Sequence, residues 1–168
     1  MKETLQKINE LVELGIIEKY AIAGGMGQFY YIEPSITYDL DLIIQISGEE
    51  KTLNPLWKIY EWAEKNNYKP LKEHIIIEGI PVQFLLEYND LVIAALNNRI
   101  KIKLFDEETY ILKPEYLMAI MLQTGRSTDK ERLTKFLSEF EYNKDLFSAI
   151  LVQFDLMNTF NKFLKQYG

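Results

Sequence analysis

The sequence predicts an α/β (α+β) fold, a mixed β-sheet flanked by helices and followed by a C-terminal helical extension. Three observations predict it. Short apolar runs alternate with amphipathic stripes at helical spacing over the first two thirds of the chain. From Pro114 onward the pattern is helical to the end. The 168 residues are 48% apolar and 26% charged, the balance of an ordinary globular chain that can bury a real core.

In order, Leu5, Ile8, Leu11 and Val12 form an apolar stripe that stops at Gly15, a first helix with a C-terminal glycine. "KYAIA" is a short buried strand broken by Gly24 and Gly25, and "MGQFYYI" is a short helix leading to a turn at Pro34. "TYDLDLIIQI" is the second strand, closed by Ser47 and Gly48. Asn54 as N-cap and Pro55 at the first helical position open a helix with Leu56, Ile59, Tyr60 and Ala63 on one face. "EHIIIEGIPVQFLLEY" reads as two strands joined at Glu78 and Gly79. "NDLVIAALNN" is a short helix, and "IKIKLF" alternates as a strand.

The remaining segments, "PEYLMAIMLQTG", "STDKERLTKFLSEF", "NKDLFSAILVQF" and "LMNTFNKFLKQY", are helical. The expected organisation is a core over residues 1–112 with a helical subdomain over residues 113–168 packed on it. The stripe Tyr116, Ile120, Leu133, Phe136, Leu137 and Phe140 is packing between helices.

Composition narrows the function classes. Nineteen Lys and Arg against 25 Asp and Glu give a net charge of −6, which argues against a broad basic surface and so against duplex DNA as a partner. With no cysteine, disulfides, thiolate metal sites and thiol nucleophiles are excluded. The amphipathic N-terminus does not read as a secretory signal, and no apolar run is long enough to span a membrane. A cytoplasmic protein without a membrane partner is the expectation.

Asp39 and Asp41 interrupt the second strand's apolar run. Residues two apart in a strand share a face, so the two carboxylates project together and repel unless something positive lies between them. A hard divalent cation with oxygen ligands resolves the conflict, and Mg2+ typically takes one or two protein carboxylates. The plain alternative is a solvated acidic pair at a strand end. Gly24 and Gly25 carry a similar choice between backbone approach to a phosphate at a helix N-terminus and a simple tight turn.

The block "IAGGMGQFYYIEPSITYDLDLII" resembles the nucleotidyltransferase (DNA polymerase β-like) superfamily. That signature is an apolar strand, Gly-Gly or Gly-Ser, a short helix, and D-x-D on the next strand. Thr37 stands where Thr or Ser often precedes the first aspartate. More closely, the chain is similar to compact bacterial nucleotidyltransferase-like proteins related to toxins of abortive-infection and toxin–antitoxin systems. The resemblance spans roughly residues 16 to 137, through "GIIEKYAIAGG", "GIPVQFL" and "EYLMAIMLQTGRSTDKERL".

The resemblance implies that Asp39 and Asp41 hold Mg2+ or Mn2+ and that a nucleoside triphosphate is substrate or ligand. It implies that Gly24 and Gly25 present amides to phosphates and that Thr37 belongs to the same site. Transfer goes to a hydroxyl acceptor on RNA, protein or a small molecule, and a cognate antitoxin or regulatory protein is an expected partner. Active members usually carry a third carboxylate on a neighbouring strand; here that catalytic position is Gln83. An amide can ligate weakly but cannot act as a general base. Glu78 and Glu87 lie near the ends of the hairpin, and neither is promoted to the missing acid.

His74, the single histidine, starts the preceding strand, either as a base at the cleft or as a structural hydrogen-bonder. Toxin relatives tend to carry a lysine near the position of Met121. In "GRSTDKER", helical spacing puts Arg126 near Lys130 and Asp129 near Arg132 or Leu133, so Arg126 and Lys130 are the candidate phosphate contacts; Asp129 is equally placed to hold Arg126, and a solvated face with internal ion pairs is the alternative. Two functions therefore stand side by side. One is a metal-dependent nucleotidyltransferase, and the other is a catalytically degenerate module of the same fold that binds a nucleotide or regulates a partner.

Overall fold

The computed structural model describes residues 1–32, 38–48 and 53–167. Its elements are α1 (Lys2–Glu13), β1 (Ile17–Ala23), α2 (Gly24–Tyr31), β2 (Leu40–Ile46), α3 (Trp57–Lys65), β3 (Lys69–Leu71), β4 (His74–Ile77) and β5 (Ile80–Leu86). There follow α4 (Asp90–Asn97), β6 (Ile100–Leu104), β7 (Glu107–Ile111), α5 (Pro114–Thr124), α6 (Ser127–Glu139), α7 (Lys144–Gln153) and α8 (Met157–Tyr167). The strands form one mixed sheet in the order β3-β4-β5-β2-β1-β7-β6.

β1 runs antiparallel to β2, and β2 runs parallel to β5. The alternation of β2 divides its side chains between two layers. Leu40, Leu42 and Ile44 join Leu5, Ile8 and Leu11 of α1 and Ile59, Trp62 and Ala63 of α3 in one apolar cluster. Ile43 faces the other way, into a cluster with Leu91 and Val92 of α4 and with α5. Each fully buried aliphatic side chain contributes about 1.5–3 kcal/mol to these layers. The single acid within β2, Asp41, shares the Ile43 side by strand parity.

Leu133 and Phe136 of α6, Phe147, Ile150 and Leu151 of α7 and Phe163 of α8 belong to the same cluster as Ala21, Ala23 and Ile43 of the sheet. One apolar layer therefore continues across the expected boundary at residues 112 and 113. Glu115, buried at the start of α5, accepts a hydrogen bond from the Asn143 backbone N–H at 2.8 Å and ties α5 to the start of α7.

Several elements depart from expectation. β2 begins at Leu40, so Asp39 precedes the strand. α2 begins at Gly24 itself, with Ala23 as its N-cap. α3 begins at Trp57, because Asn54 spends its side-chain oxygen on the Leu56 N–H (3.3 Å) in a preceding turn. β3 and β7 are additional strands. The expected hairpin turn at Glu78 and Gly79 is present, with φ of +48° and +80°. The Pro34 turn lies outside the described residues. Among the described residues, no helix is long and apolar enough to cross a membrane.

Candidate functional site

Four strands align four residues in one transverse row. Ala23 of β1 is opposite Asp41 of β2, Asp41 is opposite Gln83 of β5, and Gln83 is opposite His74 of β4. Residues directly opposite one another share a face of the sheet, so Asp41, Gln83 and His74 are neighbours on one side. Asp39 precedes the strand with the same parity as Asp41. Asp39, Asp41 and His74 each offer one ligand atom, and these atoms lie within 4.8 Å of one another. His74 Nε2 is 3.5 Å from Asp39 Oδ2.

Gly24 closes the other side of Asp41. Its φ is +57°, and a Cβ built there would collide with Asp41 Oδ2 and sit 3.1 Å from Cβ and Cγ of the same side chain. Only a residue without a side chain lets the start of α2 approach the carboxylate this closely. Among the described residues, Asp41 Oδ1 is buried without a hydrogen-bond partner. Burial pushes the Asp41 carboxyl above its ordinary pKa, the Asp39 charge adds to this, and His74, Arg132 and Arg126 oppose it.

A buried carboxylate oxygen without a donor is costly unless a cation meets it. The orphaned Asp41 oxygen, the neighbouring Asp39 and the glycine that makes room beside them fit a divalent cation.

Beside Asp41 lies a cleft of about 290 Å3. Its walls are Ala23, Asp41 and Ile43 from β1 and β2, Gly24 at the start of α2, Gln83, Leu85 and Tyr88 from β5 and its exit, Met121 of α5, Arg126 at the N-cap of α6, and Asp129 and Arg132 of α6. Asp39 and His74 stand beside this cleft, outside its lining residues. Asp129 is only 3% exposed. Its carboxylate accepts from Arg126 Nε at 2.8 Å and Nη2 at 3.4 Å, and lies 4.0 Å from Arg132 Nη1. This bond to Asp129 raises the Arg126 pKa further and holds the guanidinium at the cleft. One buried acid thus positions two cations across the cleft from Asp41.

The other candidates fall differently. Gly25 is buried within α2, one residue behind the contact with Asp41. Lys130 lies outside the cleft lining, with its ammonium 5.5 Å from the Tyr167 ring centroid. It lines a larger groove of about 680 Å3 with Gln28, Ser127, Lys135 and Tyr167, in which Glu131 is the one acid among the lining residues. Arg132 lines both depressions. The smaller cleft is the candidate site because it holds Asp41 and Gln83. Glu78 sits in the β4–β5 turn and accepts a hydrogen bond from the Tyr68 hydroxyl. Thr37 lies outside the described residues.

Tyr88, 58% exposed in the cleft wall, escaped sequence reasoning. Its signal is position: it follows β5, the strand that carries Gln83, at the end where the chain turns toward α4.

The fold defines a class of protein. An antigenic nucleotidyltransferase-like protein from Paracoccidioides brasiliensis superposes with a TM-score of 0.59 at 13% identity, over 96% of this chain and 90% of its own. A nucleotidyltransferase candidate from Thermotoga maritima aligns over 80% of this chain and 91% of its own, with a TM-score of 0.48 at 17% identity. No protein-family model matches the sequence, and no curated protein matches it. The chain has a nucleotidyltransferase-like fold.

Proposed function

We propose that the chain binds a nucleoside triphosphate together with a divalent cation in the Asp41 cleft and transfers the nucleotide to an acceptor hydroxyl. The observation that carries this reading is Asp41, whose Oδ1 is buried and unpartnered among the described residues, whose Oδ2 lies against Gly24, and which lines a cleft with two cations held by Asp129. Asp39 and Asp41 hold the cation. The start of α2 and the Arg126 and Arg132 guanidinium groups meet the phosphates. In the transfer, the acceptor oxygen bonds to the α-phosphorus, the bond to the β-phosphate oxygen breaks, pyrophosphate leaves, and the acceptor proton passes to solvent. The acceptor class is a hydroxyl on RNA, on a protein or on a small molecule.

A second reading rests on Gln83. It stands directly opposite Asp41, and its neutral amide cannot take a proton from an acceptor. A module that binds nucleotide and metal without transfer, and signals to a protein partner, follows from that residue.

A thermal-shift titration of each nucleoside triphosphate with Mg2+ or Mn2+ tests the site common to both readings. Stabilisation that needs metal and nucleotide together, and disappears in Asp41→Asn, supports it; no shift at millimolar nucleotide overturns it. Labelled-nucleotide turnover then separates the two. Product from the wild-type chain supports transfer, whereas product only after Gln83→Asp supports the binding module.

A further inference from the structure

We infer that His74 is a ligand to the cation and that the site prefers a first-row transition ion of the Mn2+, Co2+ or Zn2+ kind over Mg2+. This rests on the reading that the Asp41 cleft takes a divalent cation, and it names which one.

Asp39, Asp41 and His74 converge from the approach to β2, from β2 itself and from β4. Their ligand atoms lie within 4.8 Å of one another. Ligands of a tetrahedral shell with bonds of about 2.1 Å are about 3.4 Å apart; His74 Nε2 and Asp39 Oδ2, at 3.5 Å, already have that spacing, and the remaining pairs need at most about 1.4 Å of closure. His74 Nε2, 3.5 Å from Asp39 Oδ2, is buried and has no hydrogen-bond partner among the described residues. The other ring nitrogen, Nδ1, lies 3.9 Å from Glu73 Oε1. That separation is longer than a hydrogen bond, so Glu73 stands on the side from which carboxylates orient ligating imidazoles without being bonded to the ring. Gln83, between Asp41 and His74 in the strand register, supplies a neutral group and no third negative charge.

The donor set decides the ion. Mg2+ favours oxygen ligands and near-ideal octahedral geometry and keeps most of its water. Imidazole suits zinc and its transition-metal neighbours, whose affinities for mixed nitrogen and oxygen sites exceed those of hard ions. Two carboxylates and one imidazole, with an amide as the fourth neighbour, form a mixed set with two formal negative charges. Such a set gives Mg2+ little advantage and rewards an ion that accepts nitrogen.

The test uses the full chain and the metals alone. Co2+ and Mn2+ are titrated by calorimetry and by thermal shift beside Mg2+, in wild type, His74→Ala and His74→Asp. The Co2+ visible spectrum and the nitrogen coupling in Mn2+ electron paramagnetic resonance report an imidazole ligand directly.

The expected result is tighter binding of Co2+ and Mn2+ than of Mg2+, with a nitrogen signature in the wild type. His74→Ala loses both the signature and at least the roughly 10-fold in Co2+ affinity that follows removal of even an outer-shell partner. His74→Asp shifts the preference toward Mg2+ and keeps the inference testable if the alanine variant folds poorly.

Equal Mg2+ and Co2+ affinities, or a nitrogen signature that survives both variants, would overturn the assignment. If Mg2+ and nucleotide together still stabilise the wild type, that failure leaves the nucleotide site standing. If Co2+ binds through nitrogen but no nucleotide binds with any metal, the metal assignment holds and the nucleotide reading falls.

Discussion

Gly24 and Asp41 are in contact across the β1–β2 pair, at a separation that leaves no room for a Cβ on Gly24. Gly24→Ala must therefore displace the carboxylate and also hold an alanine at a φ of +57°. The expected cost is about 1–3 kcal/mol of stability, with loss of the shift induced by metal and nucleotide together. Differential scanning fluorimetry with and without ligand measures both. A variant that keeps the full ligand shift would show that Asp41 does not need this contact to work.

Asp129 is buried under two arginines, so its removal leaves both without their common anchor. Asp129→Ala should lose about 1.5–3 kcal/mol in urea unfolding, the value of a hydrogen bond to a charged group. Released guanidinium groups must be ordered again by the ligand, and nucleotide affinity should fall about 10-fold, equivalent to 1.4 kcal/mol. Unchanged affinity in a destabilised variant would confine Asp129 to structure.

Glu87 follows β5 with Oε2 buried and without a hydrogen-bond partner among the described residues, and burial raises its carboxyl above its ordinary pKa. The folded chain then binds this proton more tightly than the unfolded chain does. Stability attributable to the group is present at low pH and declines as pH rises from the ordinary carboxyl range through the raised value. Glu87→Gln should raise the melting temperature at pH 7–8 by roughly 1–3 °C, on a scale of 2–4 °C per kcal/mol for a chain of this size. At about pH 3, well below the ordinary glutamate pKa of about 4.3, both states are protonated and the gain should vanish. An equal gain at both pH values would point to a cause other than charge.

Phe136 is fully buried between the C-terminal helices and contacts the ring of Tyr31, whose hydroxyl donates to the Leu112 carbonyl. Phe136→Ala should cost about 3–5 kcal/mol. Because one apolar cluster joins the sheet to α5–α8, the loss should appear as a single transition by both far-ultraviolet and aromatic circular dichroism. Two separated transitions would establish residues 113–168 as an independent unit.

Much of this architecture is legible in the sequence because hydrophobic period and punctuation agree. β1, β2, β5 and the four C-terminal helices are of this kind. β3 is not: its three residues are all exposed, and Pro70 offers no amide to a ladder. β7 reads as polar in "EETYI", and its turn from β6 uses Phe105 and Asp106 at φ of +50° and +64° with no glycine to announce it. Gly24, Asp41 and the Arg126–Asp129 pairing are local enough for spacing to bring them to attention. The meeting of His74 with Asp39 and Asp41 depends on strand order and register, which no local pattern encodes.

The row Ala23, Asp41, Gln83 and His74 also bears on how such a site changes over generations. Each member belongs to a different strand, so exchanging one donor leaves the backbone that carries the others in place. A single base change converts a glutamine codon to glutamate, or a histidine codon to aspartate, asparagine or glutamine. One-step mutations therefore move this row between an all-oxygen and a mixed donor set while the backbone pairing that builds it stays the same.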